Sequence, residues 1–192
     1  FAAGNDGRDK NRDGVVDLGS VTTPATAKNA ISVGASESVR LSGGYNVPAA
    51  CATWGGCWPN SFPVPPLSID RVSNNPSGMA AFSSRGPTPD GRLKPDIVAP
   101  GTNIVSTRSA LAPAASYWGT YDEYYAYSGG TSASTPLVAG AAALVRQYYQ
   151  VIEEHTPSAA LIKATLLVGA RDLTPGQFAG KQEVPPAPNN VE

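Results

Sequence analysis

Residues 129–145 read GGTSASTPLVAGAAALV, a cluster of glycines and hydroxyls set directly before an apolar run. From Thr135 to Gln150 the pattern is apolar nearly all round: Leu137, Val138, Ala139, Ala141, Ala142, Ala143, Leu144, Val145, Tyr148 and Tyr149. That pattern predicts a helix buried in the middle of a domain. Pro136 fits its first turn, where a missing N–H is harmless. The hydroxyls ahead of it have two readings. They cap the helix, or one of them is a nucleophile. Ser132 stands where unpaired backbone N–H groups point outward and the helix dipole favours negative charge.

Working outward, AISVGAS (30–36) and PDIVAPG (95–101) are short β-rich runs ended by glycine or proline, and read as buried strands. HTPSAALIKATLLVGA (155–170) predicts a second helix, with Thr156 as N-cap, Pro157 as first residue and Gly169 at the end. Strands alternating with helices predict an α/β fold with a parallel sheet. Residues 40–80 are rich in Gly, Pro, Asn and Ser and read as a long loop, which in a compact domain points to function. The stretch 109–130 reads as a second loop, whose tyrosines are placed along a surface groove.

The chain has 192 residues, enough for one domain with a core. A formal net charge of -1 and only 15% charged residues give no basic field for nucleic acid or an anionic membrane. No apolar run approaches the ~18 residues of a membrane span. No signal peptide is visible. FAAGNDG reads as a chain that starts inside a strand, and PPAPNNVE (185–192) is equally abrupt, so a piece of a larger domain is expected. Cys51 and Cys57 bracket ATWGG. They either close a small disulfide loop, which suits a secreted protein, or remain two thiols in a surface loop.

DKNRDGVVD (9–17) matches the first part of a calcium loop, D-x-[DN]-x-[DN]-G. Asp9, Asn11 and Asp13 would supply side-chain oxygens, Val15 a carbonyl, and Asp17 a direct or water-mediated contact. Ser20 stands where the bidentate glutamate belongs. The other reading is a polar turn built from good turn-formers.

A serine needs a base to take its proton and donors for the oxyanion. The G-x-S-x-G elbow is absent, because Ser134 occupies its second glycine position. GTSASTPLVAGAAALV instead resembles the serine box of the subtilisin-like serine proteases. AAGNDG (2–7) is similar to their oxyanion-asparagine box, PATAKNAISVGAS (24–36) to the strand after it, and FSSRGPTPDGRLKPDIVAPG (82–101) to the segment leading towards the serine. Four boxes in family order make the resemblance specific.

The resemblance implies a partial subtilisin-like fold, with Ser132 as nucleophile and the Asn5 side chain and Ser132 N–H as oxyanion donors. It implies that Ala2, Ala3 and Gly4 wall a substrate pocket, beside Gly130 and Thr131, for a polypeptide. Structural calcium is common in the family. The family order is Asp, His, Ser, with the first two boxes ahead of A-A-G-N. Here A-A-G-N begins at residue 2, so the base is expected from a missing N-terminal half, and the chain alone is expected to be inactive. His155 lies past Ser132 and reads as a solvated residue between helices. An exposed sheet edge and uncovered faces predict self-association. The alternative function is a non-catalytic calcium-binding interaction module that retained the fold. A dockerin-like module ranks behind both, since only one D-x-N-x-D-G loop is present.

Overall fold

The computed structural model describes residues 1–46, 51–111 and 118–173. Two β-rich runs form its parallel pair. β1 (Val33–Ser36) lies beside β2 (Ile97–Pro100), with Val33 opposite Ile97 and Ser36 opposite Pro100. β1 is buried throughout, as its small apolar residues require. The N-terminal segment runs along its other edge. Ala3 N–H donates to the Val33 carbonyl and Val33 N–H to that of Phe1, both at 2.8 Å. This pairing delivers Asn5 to the end of the sheet.

A second, antiparallel sheet has the order β3–β5–β4, from Ile104–Thr107, Tyr125–Ser128 and Gly119–Thr120. It corrects the reading of residues 109–130 as loop alone. Strands of two to four residues leave too little alternation to be read as a period. Residues 112–117 of that stretch, and the chain end at 185–192, lie outside the described residues.

The core sits between the sheet and the stretch 51–82. Trp54, Phe62, Leu67 and Val72 are buried with Ala35, Ala80, Ala81 and Phe82. The expected long loop is therefore a packed unit. It contains the short helix α1 (Trp54–Cys57), capped by the Thr53 hydroxyl, and a 3₁₀ turn at Leu67–Ile69. Cys51 and Cys57 are disulfide-bonded across α1.

α2 (Thr131–Val151) packs across β1 and β2. Gly101, at the end of β2, lets its first turn approach: a Cβ there would collide with the Ala35 side chain and the Ser134 hydroxyl. The helix begins four residues earlier than the apolar run, so Pro136 is its sixth residue and not part of its first turn. The proline denies the Ser132 carbonyl its usual helical donor. α2 is also less buried than its composition predicts. Only Thr131, Ser134 and Val138 are buried, while Leu144 is 67% and Val151 65% exposed. One side of the helix meets the sheet, and none of the described residues covers the other.

α3 (Ala159–Val168) packs on α2. Its N-cap is Ser158 and not Thr156: the Ser158 hydroxyl accepts the Leu161 N–H at 3.1 Å. It ends at Gly169 as expected. Lys163 ties it to the sheet through Asp96. That carboxylate receives Lys94 Nζ at 2.6 Å, Lys163 Nζ at 2.9 Å, and the Ser32 N–H and hydroxyl at 2.7 and 2.9 Å. Burial would raise the Asp96 carboxyl, but the bonds from Lys94, Ser32 and Lys163 outweigh it and hold it below the usual range. Glu37, just beyond β1, is the opposite case. Burial first, and the nearby Asp70 charge second, push its carboxyl from 4.5 to about 9. The indole N–H of Trp54 donates to it at 3.1 Å.

Candidate active site

Three elements converge at the start of α2. β5 ends at Ser128, Gly129 and Gly130 turn the chain, and the helix begins at Thr131. Gly130 has φ 123°, a conformation side chains resist. Its N–H donates to the Gly101 carbonyl at 2.8 Å, which ties the turn to the end of β2. The segment from β1's edge brings Asn5 to the same place.

Asn5 and Thr131 form the centre of the site. The Asn5 carboxamide oxygen accepts the Thr131 N–H at 2.9 Å and the Thr131 hydroxyl at 3.0 Å. Thr131 is buried, so the oxygen is held against the protein. The carboxamide nitrogen must then point the other way, carrying two donors with no partner among the described residues. A Cβ built on Gly130 would stand 3.2 Å from both Asn5 Nδ2 and Ser132 Oγ, so amide and hydroxyl share one small space across this glycine. Ser132 is exposed. As the second residue of α2, its N–H has no partner within the helix. The site thus offers an accessible hydroxyl, a fixed amide donor and a free backbone N–H at a helix N-terminus. That set can grip the oxygen of a carbonyl under attack.

The remaining expected site residues are placed as follows. Ala3 is buried and its backbone pairs with Val33. Ala2 bridges to Val33, and Gly4 N–H donates to the Thr131 hydroxyl at 3.3 Å. His155 lies beyond the far end of α2, about 30 Å from Ser132 at the helical rise of ~1.5 Å per residue. It is exposed, and its N–H bonds the Tyr149 carbonyl. Among the described residues no basic side chain partners the Ser132 hydroxyl.

In the 9–17 loop the side-chain oxygens expected to hold calcium accept N–H groups of the loop itself. Asp9, 2% exposed, spends both oxygens on its own loop, accepting the Asp13 and Gly14 N–H groups at 3.0 Å. Asp13 accepts from Val15 N–H at 2.8 Å and from the Asn11 amide at 3.1 Å, and Asp17 accepts from Lys10 N–H at 2.8 Å. Among the described residues no three His, Cys, Asp or Glu side chains come together around a metal-sized space. The same alternation of Asp and Asn that suits a cation also suits Asx turns, and these bonds form such turns.

Sequence reasoning missed a cavity of about 270 Å³ that opens beside Asn5 and Gly130. Trp58, Phe82 and Trp118 wall it, with Arg8 and Ser61 at one side. The only signal was a pair of tryptophans in Gly- and Pro-rich surroundings. The groove expected from the tyrosines is built by Trp118 from that stretch, while Tyr121 and Tyr124 stay exposed.

Over residues 1–184 the chain matches the Subtilase family, Peptidase_S8. It belongs to that family. Serine protease AprX of Bacillus subtilis is 46% identical over 83 residues, 41% of this chain and 18% of the relative. The serine protease/ABC transporter B family protein tagB of Dictyostelium discoideum is 38% identical over 118 residues, 54% of this chain and 6% of the relative. The chain therefore spans less than a fifth of either relative. The structure of the prenylagaramide maturation protease PagA shares the fold, with TM-score 0.53 and 20% identity over 95% of this chain and 43% of that one. No helix among the described residues is long and apolar enough to cross a membrane.

Proposed function

We propose that this chain supplies the nucleophile and oxyanion donors of a serine endopeptidase. Ser132 Oγ bonds to the substrate carbonyl carbon while a base takes its proton. The oxyanion settles between Asn5 Nδ2 and Ser132 N–H. The carbonyl then re-forms, the C–N bond breaks, and the amine leaves with the proton from the base. Water reverses the sequence and frees Ser132. The base is a histidine outside this chain, oriented by a carboxylate. The observation that carries this reading is the clamp on the Asn5 carboxamide oxygen, which turns its N–H groups towards the space Ser132 occupies.

The part of the domain bearing that histidine would cover the exposed apolar side chains of α2 and α3, including Leu144, Val151 and Val168. In isolation the same faces favour self-association. The Cys51–Cys57 disulfide favours an oxidising compartment, in keeping with secretion. The test is a chromogenic peptide assay on the 192-residue chain and on the intact protein. The chain alone is expected to show no turnover. The intact protein is expected to turn over and to lose that activity on Ser132→Ala. Turnover that survives Ser132→Ala would remove Ser132 as the nucleophile. No turnover by the intact protein would leave the other reading, a non-catalytic binding module on a protease fold. That reading is favoured by the absence of a base beside Ser132 among the described residues.

A further inference from the structure

The cavity beside Asn5 has an unusual composition for its place. Four of its lining residues, Trp58, Phe62, Phe82 and Trp118, are aromatic. Trp58 and Trp118 rings lie 6.0 Å apart, Phe82 meets Trp118 edge-on at 6.0 Å, and Tyr45 packs behind both tryptophans at 5.1 and 4.6 Å. The ring faces favour a flat or aliphatic group, and the mouth of the cavity stays open to solvent. Into this setting comes one guanidinium. Arg8 lines the cavity, and its Nη1 donates to the Ser61 hydroxyl at 2.9 Å. That bond fixes one end of the fork and leaves the other donors available. Arg8 makes no ion pair among the described residues.

We infer that Arg8 is a specificity-determining residue that selects a glutamate side chain of the polypeptide in this cavity. The inference rests on the reading of Asn5 and Ser132 as the reacting centre, and adds the class of side chain that sits next to it. The chemistry matches at both ends. A carboxylate accepts two parallel N–H bonds from a guanidinium. The two methylenes of glutamate lie against the indole faces. A cavity of about 270 Å³ takes one side chain and not a folded segment.

The probes are three tripeptides blocked at both ends, acetyl-Ala-X-Ala-amide with X as Glu, Gln or Phe, so that the only charge is on the side chain. They are titrated into the full chain and followed by tryptophan emission, because two of its three tryptophans line the cavity. The Glu peptide is expected to bind about tenfold tighter than the Gln peptide, the scale of one charge-assisted pair. Arg8→Gln should erase that ratio, and Arg8→Lys should keep part of it, because the charge stays and the fork is lost. Ser61→Ala, which frees the guanidinium, should lower the ratio by less than Arg8→Gln. Circular dichroism checks that each variant is folded. Equal binding of the Glu and Gln peptides overturns the inference. So does tightest binding of the Phe peptide with no effect of Arg8→Gln. Labelling of Ser132 by a fluorophosphonate in the intact protein reports on the reacting centre separately, so that the two failures can be told apart.

Discussion

Thr131 holds the Asn5 carboxamide oxygen through two bonds, its N–H at 2.9 Å and its hydroxyl at 3.0 Å. The residues are 126 apart in the chain, and the contact fixes which face of the amide is presented to Ser132. In the intact protein Asn5→Ala is expected to lower kcat by the loss known for this donor in the family, about 10²–10³, with little change in KM. Thr131→Val keeps the backbone bond and removes the hydroxyl. A loss of about tenfold in kcat is expected, since one hydrogen bond no longer orients the amide. Steady-state kinetics on the two variants check this, and an unchanged kcat in both would remove Asn5 from the mechanism.

Glu37 makes stability fall as pH rises. Its carboxyl is raised by burial and by Asp70, so the folded chain keeps a proton that the unfolded chain releases. Its contribution is full below the ordinary value of 4.5 and is lost as pH climbs towards about 9. Glu37→Gln keeps an acceptor for the Trp54 indole and has no proton to lose. Thermal melts across that range should decline less steeply for the variant, and its midpoint should be higher on the alkaline side. Identical slopes would place the pH dependence elsewhere.

Asp96 works in the other direction. Its lowered carboxyl contributes stability that is complete above the unfolded-state value and is lost as pH falls through the folded-state one. Asp96→Asn breaks the links to Lys94 and Lys163 together and leaves Lys94, only 3% exposed, without a counter-charge. The expected cost is about 2 kcal/mol near neutral pH, shrinking in acid. Denaturant titrations at both pH values measure it.

Ser134 carries a hydroxyl that is fully buried and has no hydrogen-bond partner among the described residues. Ser134→Ala removes the desolvated group without opening a cavity. A gain of about 1 kcal/mol in unfolding free energy is expected, and a lower melting midpoint in the variant would contradict it.

Asp9 staples the 9–17 loop through two backbone N–H groups. Asp9→Ala is expected to cost about 2 kcal/mol, since two backbone donors, one of them buried, lose a charged acceptor. Calcium and a chelator should leave the melting midpoint of the unsubstituted chain alike. A midpoint that rises with calcium would show that the loop reopens its carboxylates to the ion.

Much of the fold was legible because it is local. A run such as LVAGAAALV permits little but a helix, and VGAS and IVAP both form strands as read, although only VGAS is buried; IVAP is half-buried and ends exposed at Pro100, because α2 covers it only in part. The boxes around Asn5 and Ser132 carried the family for the same reason: close backbone approach and a helix N-terminus demand particular small residues at fixed spacing. The short strands β4 and β5 were not legible, because their register comes from the partner strand and not from their own pattern.

By itself, then, the chain's order of residues determined the helix after Ser132, the parallel pair and the family. Only the tertiary structure decided the rest: that Thr131 orients Asn5, that tryptophans from two distant loops wall a cavity with Arg8, that the aspartates at 9 and 13 accept from their own backbone, and that one face of α2 is left uncovered by the described residues. The physical reason is common to all four. Periodicity and propensity act over a few residues, whereas the direction of an amide, the partner of a charge and the covering of a face are set by groups that meet only when the chain is folded.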